Sequence, residues 1–548
     1  MEFNYRFFGN SNVSNSGKET NISFAPDTLR EPAYFVANLG SHIPFREAIS
    51  ALHHVVVSDL RFKPRDRTEY MRWLKEQESS LLAEFLLQGR GIGSQIETMR
   101  TELTQLNRQL NATNKPFYEA RQKYFNYLYR TDYDAWFVLD PVITVHPDEV
   151  FFECFSQDES TYGRLSCDHG VFKDVQELAY GTTNIDYSTA LYNEFQKIRT
   201  YKNTQFRIEP GGFAVETSHE EQFVEEKIDL PDSWVRGFLQ VSSAMTLPST
   251  RVELHPMDIH YICHMLRRLK EKTGPRSLRF ILKPDKPVEV IFEPWNNRHV
   301  CARSIFMGMK ESEVRIWGRR RLLILERLIP ITKNFIVYFL GSGLPSFYVA
   351  DLGEMRFTLG LSGWTANDWS RMGNFDLMAP RAQVDEFTKL RVFKELKKNW
   401  FESVDSLAAR MNTDRDIVLS SLAAYTQAGR AIFDISKHVY RVRELSREPL
   451  PMDKLRFQNE REEKATNFID AGLVKLKSSE AADKGIRLTG TVRDEGKTYN
   501  PSLVIDFDQR MVEAECSCYF YGHNKLFKGP CEHMLALRIQ HRREQEKH

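Results

Sequence analysis

Three thiols and one imidazole near the end of the chain have the types and spacing of a metal site. Cys516-Ser517-Cys518 is followed by twelve residues and then Cys531-Glu532-His533, the pattern C-x-C-x12-C-x-H. Soft thiolates with an imidazole suit a tetrahedral zinc ion. Four protein ligands leave no position for a water nucleophile. The expectation is therefore one structural zinc ion held by Cys516, Cys518, Cys531 and His533. Three of the seven cysteines lie within these sixteen residues, which weighs against four unrelated side chains. His523, inside the ligand loop, is a spare candidate, less favoured because His533 stands in the motif with Cys531.

Other groupings carry weaker chemistry. His260 and His264 stand one helical turn apart with Cys263 between them. A hydrolytic zinc helix needs Glu after its first His, and here that residue is Tyr261. A packed helix is expected instead. Cys154, Cys167 and His169 match no common zinc spacing and are expected to be structural. Gly89-Arg90-Gly91-Ile92-Gly93 lacks the preceding strand and the Lys-Ser/Thr ending of a phosphate loop and reads as a turn. Gly318-Arg319-Arg320-Arg321 could contact phosphate or an acidic partner, or form a solvated strand edge. There is no G-x-S-x-G elbow and no P-loop. The chain is read as non-enzymatic, with residues 1–380 the place where a convergent site could lie unseen.

Composition narrows the class. The 548 residues carry Lys plus Arg 75 against Asp plus Glu 74, a net charge of +1. No global field draws the chain to nucleic acid or anionic membrane, so any such contact needs a local patch. At 41% apolar and 12% aromatic, the chain can build real cores. Met1-Glu2-Phe3-Asn4-Tyr5-Arg6 has no basic region leading into an apolar run, so no signal peptide is expected. The longest apolar stretch, Phe335 to Ala350, is broken by Gly341, Gly343 and Pro345 and reads as strands. The seven cysteines show no disulfide regularity, which points to a reducing, cytoplasmic setting.

The elements that must carry these residues suggest an α+β multidomain chain. Residues 1–135 are mixed and then form a helical hairpin. Within the mixed part, Ala51 to Val57 could be a helix end or a strand. In the hairpin, Ile96, Met99, Leu103, Leu106 and Leu110 make a heptad seam. Residues 136–380 form a β-rich α+β region, with strands expected at Val142–Val145, Val150–Phe152, Val288–Phe292, Val314–Trp317 and Phe335–Tyr338. A helix is expected from about Met257 to Lys272.

Residues 384–445 form a coherent unit. Leu390, Val392, Phe393 and Leu396 face one way on a first helix. Ser403 caps a short second helix, and Thr413 caps a third that Gly429 ends. Two strands follow. The unit resembles a winged helix-turn-helix domain. That family implies either DNA or protein as the partner. The carboxylates in Thr413-Asp414-Arg415-Asp416 are poor company for phosphates, whereas the hairpin offers Lys437, His438, Arg441 and Arg443. Both partner classes stand at this point. Residues 452–484 read as a charged connecting helix with Phe468, Ile469, Leu473 and Leu476 on one face.

From Gly485 the pattern alternates strictly. Ile486, Leu488, Gly490 and Val492 share one strand face, and Leu503, Ile505 and Phe507 share another. Val512, Ala514, Cys516 and Cys518 have a common parity on a third strand, which would aim both thiols one way. Pro530 opens a last helix, with Cys531 and His533 in its first turn. The hairpin, the C-x-C-x12-C-x-H spacing, Gly490-Thr491-Val492 and Gly529-Pro530-Cys531-Glu532-His533-Met534-Leu535-Ala536-Leu537 together resemble the SWIM zinc finger, of ββα type, over residues 485–548.

The resemblance implies zinc at the four named ligands and binding to DNA or protein. The wider arrangement looks like prokaryotic SWIM proteins, which implies an AAA+ ATPase or a von Willebrand A-type protein as partner. Lys525, Lys528, Arg538, Arg542 and Arg543 would form a basic surface around the site. The leading expectation is a zinc-binding adaptor using the winged-helix and SWIM modules. The alternative is a DNA-binding transcriptional regulator, and the third is an enzyme with an N-terminal site.

Overall fold

The computed structural model describes residues 12–16, 19–24, 33–58, 141–184, 192, 195–201, 203–208, 232–270, 277–341, 345–362, 369, 375–378, 384–445, 460–482, 485–506, 510–526 and 529–545. The chain divides into two compact units, residues 61–138 and the remainder. All described elements belong to the second of these, so the expected helical hairpin lies outside the described residues. No described helix is long and apolar enough to cross a membrane.

An eight-stranded antiparallel sheet is the frame of the large unit. Its spatial order is Ser249–Leu254, Asn334–Leu340, Ser346–Asp351, Met355–Leu361, Thr161–Asp168, Glu149–Phe155, Val142–Val145 and Gly181–Asn184. The near-continuous apolar run from Phe335 belongs inside this sheet because both faces are covered. Phe335, Val337 and Phe339 join one core. Tyr338 and Leu340, of opposite parity, join another. The first core also takes helix His42–Val56, a four-stranded sheet over residues 277–317, helix Pro256–Arg268 and the 3-10 segment Arg319–Ile331. The second takes helix Asp232–Met245 and the C-terminal module. A further five-stranded sheet includes Tyr34–Leu39 and Phe172–Ala179.

Several sequence readings are decided here. Ala51–Val57 ends a helix, with Leu52, Val55 and Val56 buried. Cys154 and Cys167 are in the core. Two of the three arginines of the run turn inward, while Arg320 between them is exposed. Arg319 and Arg321 are buried, and they donate to backbone carbonyls: Arg319 to Ser277 O at 2.8 Å and Arg321 to Ser160 O at 2.6 Å. A guanidinium carries five donors in a rigid fork, which lets it close orphan carbonyls at a sheet junction.

Residues 384–445 fold as expected into helices Glu386–Asn399, Val404–Met411 and Arg415–Gln427 with hairpin strands Ala431–Asp434 and Val439–Val442. Phe401–Glu402 adds a third, two-residue strand. Ser403 caps as read, its hydroxyl accepting from Ser406 N at 3.2 Å. The third helix starts after Asp414 rather than Thr413, whose hydroxyl instead accepts from Arg391 at 2.9 Å.

The connecting region is only partly helical. Glu460–Asp470 is a helix, Gly472 turns the chain at φ +67°, and Val474–Ala482 is a strand paired to Gly485–Asp494. Leu476 therefore belongs to a sheet, not to a helix face.

Candidate metal centre

The C-terminal sheet runs Val474–Ala482, Gly485–Asp494, Ser502–Asp506, Met511–Glu515, and Lys497–Tyr499 pairs beside the second strand. Leu488, Val492, Leu503, Ile505, Met511 and Ala514 are buried, and so are Met534, Leu535, Ala536 and Leu537 of the last helix, Glu532–Gln545. Gly490 allows helix and sheet to meet. A Cβ there would lie 2.4 Å from Leu537 Cδ1 and 2.6 Å from Lys475 O.

All four expected ligands converge. One ligand atom from each of Cys516, Cys518, Cys531 and His533 lies within 4.8 Å of the others, and all four residues are buried. The route differs from the expected one in two respects. The third strand ends at Glu515, so Cys516 and Cys518 lie beyond it. Cys518 is the N-cap of a short helix, Tyr519–Asn524, and its sulfur accepts from Tyr521 N at 3.4 Å. The two thiols are thus aimed by a strand-to-helix turn. Cys531 immediately precedes the last helix rather than lying in its first turn, and Leu535 N returns to its carbonyl at 3.2 Å. His523 points away from the cluster, its Nδ1 being 3.0 Å from Tyr519 O.

The electrostatics of the four residues call for a cation. Burial opposes a charge on His533, yet the sulfurs of Cys516 and Cys518 beside its ring outweigh that and push its pKa up to about 10. Hydrogen bonds from Cys516 and Cys531 drive the Cys518 thiol well below its usual range, while Cys516 and Cys518 hold Cys531 well above it. Three sulfurs competing for shared protons around an imidazole form a donor set that zinc binds with loss of those protons. Both ring nitrogens of His533 are buried without a hydrogen bond, and a buried polar atom left so is costly unless a ligand satisfies it.

Surrounding residues fix the ring. Phe468 stacks on it with centroids 5.8 Å apart and planes at 4°, and Tyr499 lies at 4.3 Å. Asp494 Oδ2 is 3.4 Å from His533 Nε2, where a carboxylate can orient a metal-bound imidazole. Arg461, from the preceding helix, lies over Phe520 at 4.0 Å and donates to Pro530 O at 3.3 Å. These supports come from outside the Cys/His pattern, so spacing did not reveal them.

Residues 500–539 match the SWIM zinc finger family. With the Cys516, Cys518, Cys531 and His533 cluster, this finger is compatible with one structural zinc ion. No curated protein matches the chain. Solved structures similar to it include the proliferating cellular nuclear antigen of Entamoeba histolytica, 12% identical over 40% of this chain and 88% of that one, TM-score 0.28. Another is the A. fulgidus PCNA to which the C-terminal region of FEN-1 is bound, 9% identical over 40% and 88%, TM-score 0.27. Likeness at those scores carries no conclusion about this chain.

The candidate partner-binding cations fare differently. Arg441 and Arg443 are buried. Arg441 forks onto Asp148 at 2.8 and 2.9 Å and reaches Asp434 at 2.9 Å. Arg443 donates to both oxygens of Glu153 at 3.0 and 3.2 Å. Lys437, partly exposed, bonds Asp148 at 3.0 Å and Asp168 at 3.1 Å. These three fasten the hairpin to the eight-stranded sheet, and the buried pair is out of reach of a phosphate. Around the finger, Lys525 is exposed with Nζ 4.8 Å from the Tyr521 ring. Arg538 is buried, Arg542 is half-buried, and Arg543 pairs with Asp470 at 2.8 Å. Lys528 lies outside the described residues. The described side chains do not form one exposed basic face. His260 and His264 are exposed and belong to no ligand cluster among the described residues.

Proposed function

We propose that the chain is a non-enzymatic docking protein whose zinc-held finger frames a groove for an extended segment of a protein partner. The observation that carries this reading is a cavity of about 920 Å³ beside the finger. Two sheet edges line it. Among the described residues, Met511–Glu515 pairs only with Ser502–Asp506, and Ser249–Leu254 only with Asn334–Leu340. An edge strand offers unpaired N–H and C=O groups that an extended chain can complete. Leu247, Phe375, Met378 and Leu526 supply apolar lining, and Arg487, Lys525, Glu513 and Glu515 supply both signs of charge. Mixed charge suits a polypeptide and opposes a phosphate backbone.

The unit at 384–445 supports the same choice. Its order of helix, short strand, two helices and hairpin favours the winged-helix reading. In a DNA-binding winged helix the third helix enters the major groove. Here helix Arg415–Gln427 packs against helix Asp232–Met245, with Val418, Leu419, Leu422 and Ala423 buried. The hairpin cations are paired internally. We therefore place the transcriptional-regulator reading second. An AAA+ ATPase or a von Willebrand A-type protein is the first partner to try.

A photo-crosslinkable residue at Val512 tests the groove. The expected result is a crosslink to one partner peptide that is lost in Glu513→Pro, with no duplex-DNA gel shift at low salt. DNA affinity whose logarithm falls steeply with log salt, with no groove crosslink, overturns the reading.

A further inference from the structure

Away from the finger, one more set of mixed ligating side chains converges among the described residues. Asp258 stands in the first turn of helix Pro256–Arg268, and His299 and Cys301 lie two apart on strand Asn297–Ile305. Residues at i and i+2 share a strand face. One ligand atom from each of the three lies within 4.8 Å of the others.

Each side chain is held in a way that leaves a ligand atom turned to the same point. Asp258 is buried, and its Oδ2 accepts from Ser304 Oγ at 2.5 Å. That serine oxygen in turn accepts from His255 N at 2.9 Å. Register slips between Pro287 and Val288, so that Cys301 and Ile305 face adjacent partners and residues 302–304 form a bulge. The bulge brings Ser304 to the buried side with Cys301. The other Asp258 oxygen, Oδ1, lies 4.0 Å from His299 Nε2. That gap is too long for a direct hydrogen bond. Nε2 is nonetheless buried and has no hydrogen-bond partner. Tyr261 stacks on the imidazole at 3.7 Å and 17° and fixes its orientation.

Cys301 differs from two other core thiols. Cys154 donates to Leu52 O at 3.8 Å and Cys263 to Leu322 O at 3.6 Å. Cys301 is wholly buried and makes no such bond among the described residues. A carboxylate oxygen, an imidazole nitrogen and a thiol, each without its ordinary partner at one point, form a mixed O, N, S donor set. That set selects a borderline ion such as zinc over magnesium or calcium.

We propose that Asp258, His299 and Cys301 bind one zinc-class divalent ion, with a fourth position on the His299 side open to water or a small ligand. Binding releases the Cys301 proton to solvent. The site ties helix Pro256–Arg268 to the four-stranded sheet and is independent of the finger.

Metal content of the full chain, loaded with excess zinc and desalted, tests this. Two zinc ions per chain are expected, falling to one in His299→Ala and in Cys301→Ser. Cys518→Ser should also fall to one, by losing the other ion. Cobalt loading keeps the outcome readable: the thiolate-rich spectrum of the finger should be unchanged in His299→Ala, which shows that the variant is folded. A single ion in the unaltered chain, or two ions retained in both His299→Ala and Cys301→Ser, overturns the proposal.

Discussion

The finger and the three-helix unit were both expected to meet partners through their charged side chains, and they are built on opposite plans. The finger draws four ligands from residues 516–533 to one point. The three-helix unit is fastened by polar contacts spanning up to 296 residues of sequence, as in the contact of the His146 ring with the Val442 carbonyl. It also joins Arg441 to Asp148 and Arg443 to Glu153. In the first case a local motif makes a local structure. In the second, side chains that look like a basic surface are internal fasteners, because their acidic partners arrive from a distant strand. A cation is a binding candidate only after its own chain has been searched for the carboxylate that neutralises it.

The contrast can be broken at either end. The largest effect is expected in the finger. A sheet of this size closes little core of its own, and zinc adds on the order of 10 kcal/mol to the folding of such modules. Cys518→Ser should therefore release residues 485–545 to proteolysis, while circular dichroism retains the signal of the eight-stranded sheet.

Next in size is Arg441→Ala. It strips a buried counter-charge from Asp434 and Glu149. Removing one member of a buried pair costs about 3–5 kcal/mol, to be read as a shift in the urea midpoint. Lys437→Ala, at a partly exposed position, should cost under about 1 kcal/mol. Equal costs for the two would dissolve the distinction between fastener and surface.

Acid should weaken the anchorage of the three-helix unit. Burial, aided by the Arg441 charge, lowers the pKa of His146 from 6.5 to about 3. Between those values the unfolded chain takes up a proton that the folded chain refuses, so stability is full above about pH 6.5 and falls as pH drops toward 3. The slope approaches about 1.4 kcal/mol per pH unit. His146→Gln should flatten it. Arg164 and Arg441 hold the Asp434 carboxyl well below its usual range against burial. Its contribution is present above pH ~4 and fades only below that. The smallest structural change is Gly490→Ala, whose methyl would press on Leu537 and the Lys475 carbonyl. A loss of about 1–3 kcal/mol is expected in the finger, measurable by thermal melting.

The metal ligands were legible because their spacing is short and their chemistry specific. Helices Glu386–Asn399, Val404–Met411 and Arg415–Gln427 were legible from period and caps. Strand parity placed Leu488, Leu503 and Ala514 inside, but it carried the strand through Cys516, where a turn takes over. Leu476 was misplaced because a short apolar run fits either period. The pairings of Arg441, Arg443, Arg319 and Arg321 were not legible at all. Each depends on a partner brought close only by tertiary folding, and periodicity holds no information about it. The Asp258, His299 and Cys301 cluster was hidden for the same reason: His299 and Cys301 have a strand-face spacing, but Asp258 comes from a separate helix.

Hydrogen exchange on the full chain, before and after zinc is removed by a strong chelator, tests most directly whether the four-ligand centre holds the C-terminal module. The account predicts that amides across 485–545 lose protection without zinc, while strands Asn334–Leu340 and Ser346–Asp351 keep theirs. Unchanged protection over 511–545 in the metal-free chain would contradict it.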